Sequence, residues 1–500
     1  MNKKENQPPW ASRPGDVSKA QPPNIQPSQQ LVLRGLPPQL TPAPALANSS
    51  EMKPVSSLVR DGQAATSSPY PLHVVLPFDL RDHAVTFDDK RPQLCQVFPG
   101  CEDVTEFGNR SYLNFEVETL PPGPWPLTVA GLPFTIIDKA QNGRFFMFPH
   151  GLNGRSGVEF CEDLDPSVPS GCDAFRVWAW TIIRTFADRL PQLRVVEFIF
   201  TAENHLRVVV ADDVDLHAVR PLLPSMVARM YTSYLKDKDL GRPSSGSGQA
   251  MRATVPDAAK GRIDDTVYDV LRPGVLVSSF VDSEHESHRL MSAGVLVQSH
   301  TGDKFMTTAS HGIGVEHTVY AGRPTSHNAR LVGDAAVEIS FTDVALIALR
   351  SGEQFLNERF KPAEGKEQPE LDRIIGEEAT DEVKHGDRVS MENAFRGPRA
   401  AVVMARSIKL ENKPPTHPIE DKLRYVVYNW FWDGLTPPES SEDPPEISDS
   451  TCGSAIIRED GSVLGFFHFI IEEGKWKGFY AAVSGDEVVK AGYKLVKPTG

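Results

Sequence analysis

The sequence has no uninterrupted apolar run of about 18 residues, the length a membrane-crossing helix needs. It also lacks a basic surplus. Lys and Arg number 52 against 66 Asp and Glu, giving a net charge of −14. Phosphate backbones and anionic lipid surfaces are held by basic faces, so binding to nucleic acid or to a membrane is not expected. Cysteine is scarce, with five in 500 residues: Cys95, Cys101, Cys161, Cys172 and Cys452. An odd count at scattered spacing argues against a disulfide framework. The opening residues, MNKKENQPPW, lack the apolar segment of a secretory signal, so an intracellular protein, cytoplasmic or nuclear, is expected. No cofactor and no metal are expected. Cys95, Cys101, Cys161 and Cys172 could form a zinc site, but no CxxC or His pair accompanies them. Reduced thiols in a packed domain are the plainer reading.

What is present falls into four stretches, within the two or three domains that about 100–200 residues per domain would allow. Residues 1–69 are rich in Pro, Gln, Ser and Ala, as in QPPNIQPSQQ. They hold too little apolar surface to offset the entropy of ordering, and a disordered arm is expected. Residues 70–236 read as an α+β domain. PLTVAGLPFTIID and GRFFMFPHGL carry β-branched and aromatic residues bounded by Pro and Gly, as strands do. GCDAFRVWAWTIIRTFADRL spaces Phe175, Trp178, Ile182, Ile183 and Phe186 as one helix face. RVVEFIF and HLRVVVAD predict a hairpin turning at Thr201, Ala202, Glu203 and Asn204, and a second helix is expected in DLHAVRPLLPSMVARMYTSYL. No nucleophile or nucleotide motif occurs here, so recognition or packing is the expected role. Residues 237–264 mix Gly, Ser, Pro and charge as a flexible linker does. From 265 to 498, short β-rich runs recur between turn signals, the pattern of a sandwich or barrel.

Three segments of this last stretch carry chemistry. In SAGVLVQSHTGDKFMTTASHGIG, two strands joined at Thr301, Gly302 and Asp303 lead to Thr308-Ala309-Ser310-His311. In AAVEISFTDVALIAL, an acid opens an apolar strand as Asp343-Val344-Ala345-Leu346-Ile347. In SDSTCGSAIIREDGSVLGFFHF, Cys452-Gly453-Ser454-Ala455 precedes a hairpin. These segments resemble, in order, the T-A-A-H strand, the D-I-A-L-L strand and the nucleophile loop of chymotrypsin-like peptidases. The loop is similar to the cysteine variant found in viral chymotrypsin-like proteases. The same half of the chain also resembles a group of fungal trypsin-like proteins.

The resemblance implies an all-β double Greek-key barrel, with barrels at about residues 272–360 and 378–485. It implies an endopeptidase in which Cys452 is the nucleophile, His311 takes its proton and Asp343 orients the imidazole. The backbone N–H groups of Ser450 and Cys452 are the expected oxyanion donors. The family usually has Gly at the position of Ser450 and Asp at that of Thr451. Protein or peptide substrates are implied. For the specificity pocket three readings stand open. His468 could face the cleft and read Gln or Glu, Phe467 and Phe469 could make an apolar slot, or Glu446 could read Lys or Arg. A different class also stands: a catalytically inactive protease-like module that binds proteins.

Overall fold

The computed structural model describes residues 70–497 apart from 72, 83, 108–111, 122–124, 127, 133, 141–142, 147–150, 166–167, 202–204, 243–262, 282–286, 324–327, 340–341, 361–368, 396–398, 413–422, 433–450, 472–475 and 477–478. The expected disordered arm, most of the expected linker and the residues Ala202 to Asn204 of the expected hairpin turn lie outside these. Strands dominate what is described, and no helix among the described residues is long and apolar enough to cross a membrane.

The first barrel is an 8-stranded sheet in the order His288–Ser292, Leu276–Phe280, Thr318–Ala321, Arg330–Ile339, Val344–Leu349, Lys304–Ala309, Leu296–Ser299 and Tyr493–Leu495. Val344–Leu349 reads VALIAL and is apolar on both faces because one face fills the barrel and the other packs outside it. Gly302, at φ 90°, makes the turn between Leu296–Ser299 and Lys304–Ala309. Tyr493–Leu495 returns from the end of the chain to pair with Leu296–Ser299. Asn357 fixes that junction, accepting from the Leu296 N–H at 2.8 Å and donating to the carbonyls of Leu296 and Val496.

The second barrel runs Arg388–Met391, Ala455–Arg458, Val463–Ile470, Phe479–Ser484, Leu423–Trp432 and Arg399–Asn412. Arg399–Asn412 then pairs back with Arg388–Met391, closing the ring. Arg399–Asn412 is long enough to do two things. Its first residues complete the ring, and Ala405 to Lys409 pair antiparallel with Val195–Thr201. The sheet therefore continues through Val195–Thr201, His205–Val210, Met230–Lys236, Pro224–Val227 and Arg155–Phe160.

Helix Cys172–Arg189 lies over this extension and buries Phe175, Trp178, Ile182, Ile183 and Phe186 in one cluster with Phe198, Phe200 and Val208. Arg176 sits on the same buried face. Its guanidinium reaches Asp486 at 2.7 Å and Glu487 at 2.8 Å, both on helix Gly485–Lys490, which follows the second barrel.

The second expected helix is a correction. Only Leu216–Val219 is helical, followed by a 3-10 turn at Arg220–Leu222 and a hairpin of Pro224–Val227 with Met230–Lys236. Pro221 and Pro224 cannot continue a helix. Ala228 and Arg229, at φ 49° and 59°, make the two-residue turn. Parallel pairing with His205–Val210 then holds Met230–Lys236 as a strand and buries Tyr234. Residues 101–146 contribute a separate 4-stranded sheet, over which Phe98, Phe115 and Phe134 pack edge to face or tilted.

Candidate active site

The strand Lys304–Ala309 ends in a 3-10 turn, Ser310–Gly312, that projects His311 from the first barrel. The neighbouring strand Val344–Leu349 begins just after Asp343, whose φ of 64° is one that a short polar side chain tolerates better than most. The two turns are laced together. The Ser310 N–H donates to the Asp343 carbonyl at 2.8 Å. The His311 N–H donates to Asp343 Oδ1 at 2.8 Å, and His311 Nδ1 lies 2.6 Å from Asp343 Oδ2. An ionised carboxylate only accepts, so Nδ1 carries the proton of that bond and Nε2 is left for another partner. That partner is the Cys452 thiol, to which the imidazole is hydrogen-bonded.

Cys452 reaches this point from the second barrel on the turn at 451–453. Gly453 adopts φ 89°, and a Cβ there would stand 2.7 Å from the Ala309 nitrogen and 2.8 Å from the Ser292 oxygen. Only glycine lets the turn press against the end of the histidine strand. The Ser292 N–H holds the Cys452 carbonyl at 3.0 Å, and the Gly453 N–H donates to the Phe467 carbonyl at 2.9 Å. Ser454 is wholly buried, and its hydroxyl donates to the Thr451 carbonyl at 2.7 Å, closing the turn. Cys452 is 2% exposed, and its one thiol proton goes to the His468 carbonyl at 3.0 Å, so toward His311 the sulfur is an acceptor.

The charges follow from these contacts. Burial pulls the His311 imidazole down, but the Asp343 carboxylate and Cys452 together hold it well above its usual value. Burial pushes Asp343 up, and His311 and His468 outweigh that and hold it low. Three other cysteines are raised by their surroundings. Burial, with Asp486 next, pushes Cys172 up to about 12. Burial, with Cys95 next, pushes Cys101 up to about 12, and burial also raises Cys161.

Of the pocket candidates, Phe467 and His468 line one small cavity with Asp343 and Gly453, and Phe469 does not. Phe467 turns into the second barrel against Tyr480, at 5.7 Å between ring centroids. Phe469 packs on Trp430 at 5.7 Å and is 8% exposed. The register shifts between them, and His468 is sent toward the Asp343 carboxylate. Its Nε2 lies 3.4 Å from Asp343 Oδ2, and its Nδ1 lies 2.9 Å from the Tyr428 hydroxyl. Ser450 and Glu446 lie outside the described residues. His311, Asp343 and His468 bring three possible metal ligands within 4.8 Å of one another, although both rings already approach the same carboxylate oxygen.

Tyr428 and Glu338 belong to this constellation and were not singled out by the sequence. Tyr428 sits in LRYVVYNWFW, where aromatics read as core. Glu338 sits in AAVEIS as an ordinary strand-edge charge. Its carboxylate accepts the Ser310 hydroxyl at 2.9 Å.

No protein-family model matches the chain, and no curated protein sequence matches it. Among solved structures, a glutamic acid specific serine protease that utilises a histidine triad in substrate binding is similar at 14% identity, over 45% of this chain and 100% of that one, with a TM-score of 0.30. A protease of M. tuberculosis in its active form is similar at 15% identity, over 49% and 89%, with a TM-score of 0.29. Protease A of Thermobifida fusca is similar at 12% identity, over 46% and 99%, with a TM-score of 0.28.

Proposed function

We propose that this chain is an endopeptidase of chymotrypsin-like design with a Cys452, His311, Asp343 triad. The observation that carries the reading is the convergence of the three side chains from two barrels. His311 Nδ1 is 2.6 Å from Asp343, and the same ring is bonded to Cys452. A raised imidazole beside a thiol favours the imidazolium–thiolate pair, and the thiolate is the form that attacks a carbonyl. The sulfur–carbon bond forms as the carbonyl electrons move to oxygen, and His311 then gives its proton to the departing amine. Asp343 holds the ring and stabilises its charge throughout. Water, deprotonated by His311, releases the acyl group and restores the thiol. The Cys452 and Ser450 backbone N–H groups are proposed as the oxyanion donors, and a protein or peptide as the substrate.

One observation favours the inactive module instead: the thiol is buried and donates to the His468 carbonyl, a bond that a thiolate cannot make. A peptidyl vinyl sulfone tests the two readings. The peptidase reading expects covalent labelling at Cys452 that is lost in His311→Ala, together with hydrolysis of a denatured protein substrate. Labelling spread over the other cysteines, with no hydrolysis, would establish the binding module.

A further inference from the structure

Glu338 stands at the end of the strand Arg330–Ile339, with Glu338 opposite Ala345 and Ile339 opposite Val344. The chain reverses between these strands and returns Asp343 to the side of the Glu338 carboxylate. That carboxylate accepts the Ser310 hydroxyl, from the residue immediately before His311, at 2.9 Å. The Ser310 N–H in turn donates to the Asp343 carbonyl at 2.8 Å. Ser310 therefore ties the Glu338 side chain to the turn that projects His311 and to the left-handed residue that carries the triad acid.

The charged groups around it are few. Asp343 faces it from its own turn, and His311 faces it from the turn after Lys304–Ala309. His468, on Val463–Ile470, lies beyond Asp343. Arg289, on His288–Ser292, holds the His311 carbonyl. Burial, and next the negative charge of Asp343, push the Glu338 carboxyl up to about 7 against the pull of the Ser310 hydroxyl, the Asp343 backbone and His311. Two neighbouring carboxyls are thus driven apart, Asp343 downward and Glu338 upward to about 7.

We propose that Glu338 is a positioning residue for the Cys452 and His311 pair, and that its ionisation state sets how firmly His311 keeps its proton. The proposal rests on the reading of Cys452 and His311 as the reacting groups. Ionised Glu338 adds a second negative charge near the imidazole, which favours imidazolium and so favours thiolate. Its lone pairs also hold the Ser310 turn. Protonated Glu338 removes that charge and gives up one acceptor oxygen, so the Ser310 turn loosens.

The test uses the full chain, with His311 followed by imidazole nitrogen NMR and Cys452 by iodoacetamide alkylation, between pH 5.5 and 9. In the unaltered protein, alkylation shows an inflection near neutrality in addition to that of the thiol. Glu338→Gln keeps the shape and removes the charge, so the inflection disappears and the His311 midpoint falls by about one pH unit. Ser310→Ala removes a donor to the ionised form, so the inflection stays but moves to higher pH. It is also the second measurement if Glu338→Gln does not fold. Unchanged profiles in the variants overturn the proposal. A His311 midpoint that moves in a chain without hydrolytic activity leaves the coupling standing and sinks the peptidase reading. Hydrolysis with an unmoved midpoint does the reverse.

Discussion

The Nε2 atom of His468 lies 3.4 Å from Oδ2 of Asp343, the same oxygen that His311 Nδ1 meets at 2.6 Å, and the two rings stack with centroids 6.1 Å apart. One carboxylate oxygen thus serves two imidazoles, and only one of them neighbours the thiol. The tautomer of His468 follows from its partners. Facing a carboxylate, Nε2 carries the proton, so Nδ1 accepts from the Tyr428 hydroxyl at 2.9 Å. Burial, only partly offset by Asp343, brings His468 down to about 4, so the ring is neutral at physiological pH.

Removing that support should slow the proposed chemistry without changing what is cleaved. His468→Ala is expected to lower kcat about five- to twentyfold with KM nearly constant, because it loosens Asp343 rather than a substrate contact. Tyr428→Phe should produce a smaller drop of the same kind. Steady-state kinetics on a peptide library check this. A switch in the residue preferred before the scissile bond would return His468 to a pocket role.

Cys452 should be the fastest of the five cysteines to alkylate. Its imidazole neighbour keeps a proton above the usual histidine range, which favours thiolate below pH 7. Cys101 and Cys172, both pushed up to about 12, should remain almost unlabelled at pH 8. Mass spectrometry after timed iodoacetamide exposure reads all five at once. Cys452→Ser is expected to lose at least about a hundredfold in hydrolysis, since the hydroxyl is far harder to ionise.

Gly453→Ala should destabilise more than Gly302→Ala, although both glycines have φ near +90°. At Gly302 a Cβ meets nothing within 4 Å, so the cost is the conformational strain of about 1–2 kcal/mol. At Gly453 the Cβ also strikes the backbone of Ala309 and Ser292, which should add about 1–3 kcal/mol and displace Cys452. Urea unfolding of the two variants measures the difference. Equal losses would mean that the 451–453 turn yields freely.

Acid should unfold the protein through two neutral histidines. His385 is held at about 4 by burial first and the Arg406 charge second, and His468 is held at the same value mainly by burial. Both lie below the unfolded value of about 6.5, so the stability they protect is complete above that pH and is lost as pH falls toward 4. The loss should amount to about 1–3 kcal/mol for each ring. His385→Gln removes one titration and should flatten the fall in stability between pH 6.5 and 4. An unaltered slope would place the acid sensitivity elsewhere.

The legible parts of this protein are those where a local pattern fixes the outcome. Thr308-Ala309-Ser310-His311 reads as a strand running into a turn, and the structure has Lys304–Ala309 followed by the 3-10 turn Ser310–Gly312. The spacing from Phe175 to Phe186 reads as a helix face, and those residues are buried in Cys172–Arg189. The illegible parts depend on distant partners. Met230–Lys236 is a strand because His205–Val210 lies beside it. Phe467, His468 and Phe469 follow one another, but the register shift against Phe479–Ser484 decides which way each faces. Glu338 becomes part of the site only when Ser310 arrives from another strand.

The long strand Arg399–Asn412 also imposes a schedule on synthesis. Val195–Thr201 leaves the ribosome about 200 residues before Ala405 to Lys409, the segment that pairs with its outer edge. At about 5–20 residues per second, that edge waits roughly 10–40 s with its N–H and C=O groups unpaired. During that interval the nascent sheet offers a template for any passing strand, as every exposed edge does. Arg176 waits as well, because Asp486 lies 310 residues further along the chain. These distant segments therefore complete each other late, and a nascent-chain chaperone has its clearest target in the interval before they meet.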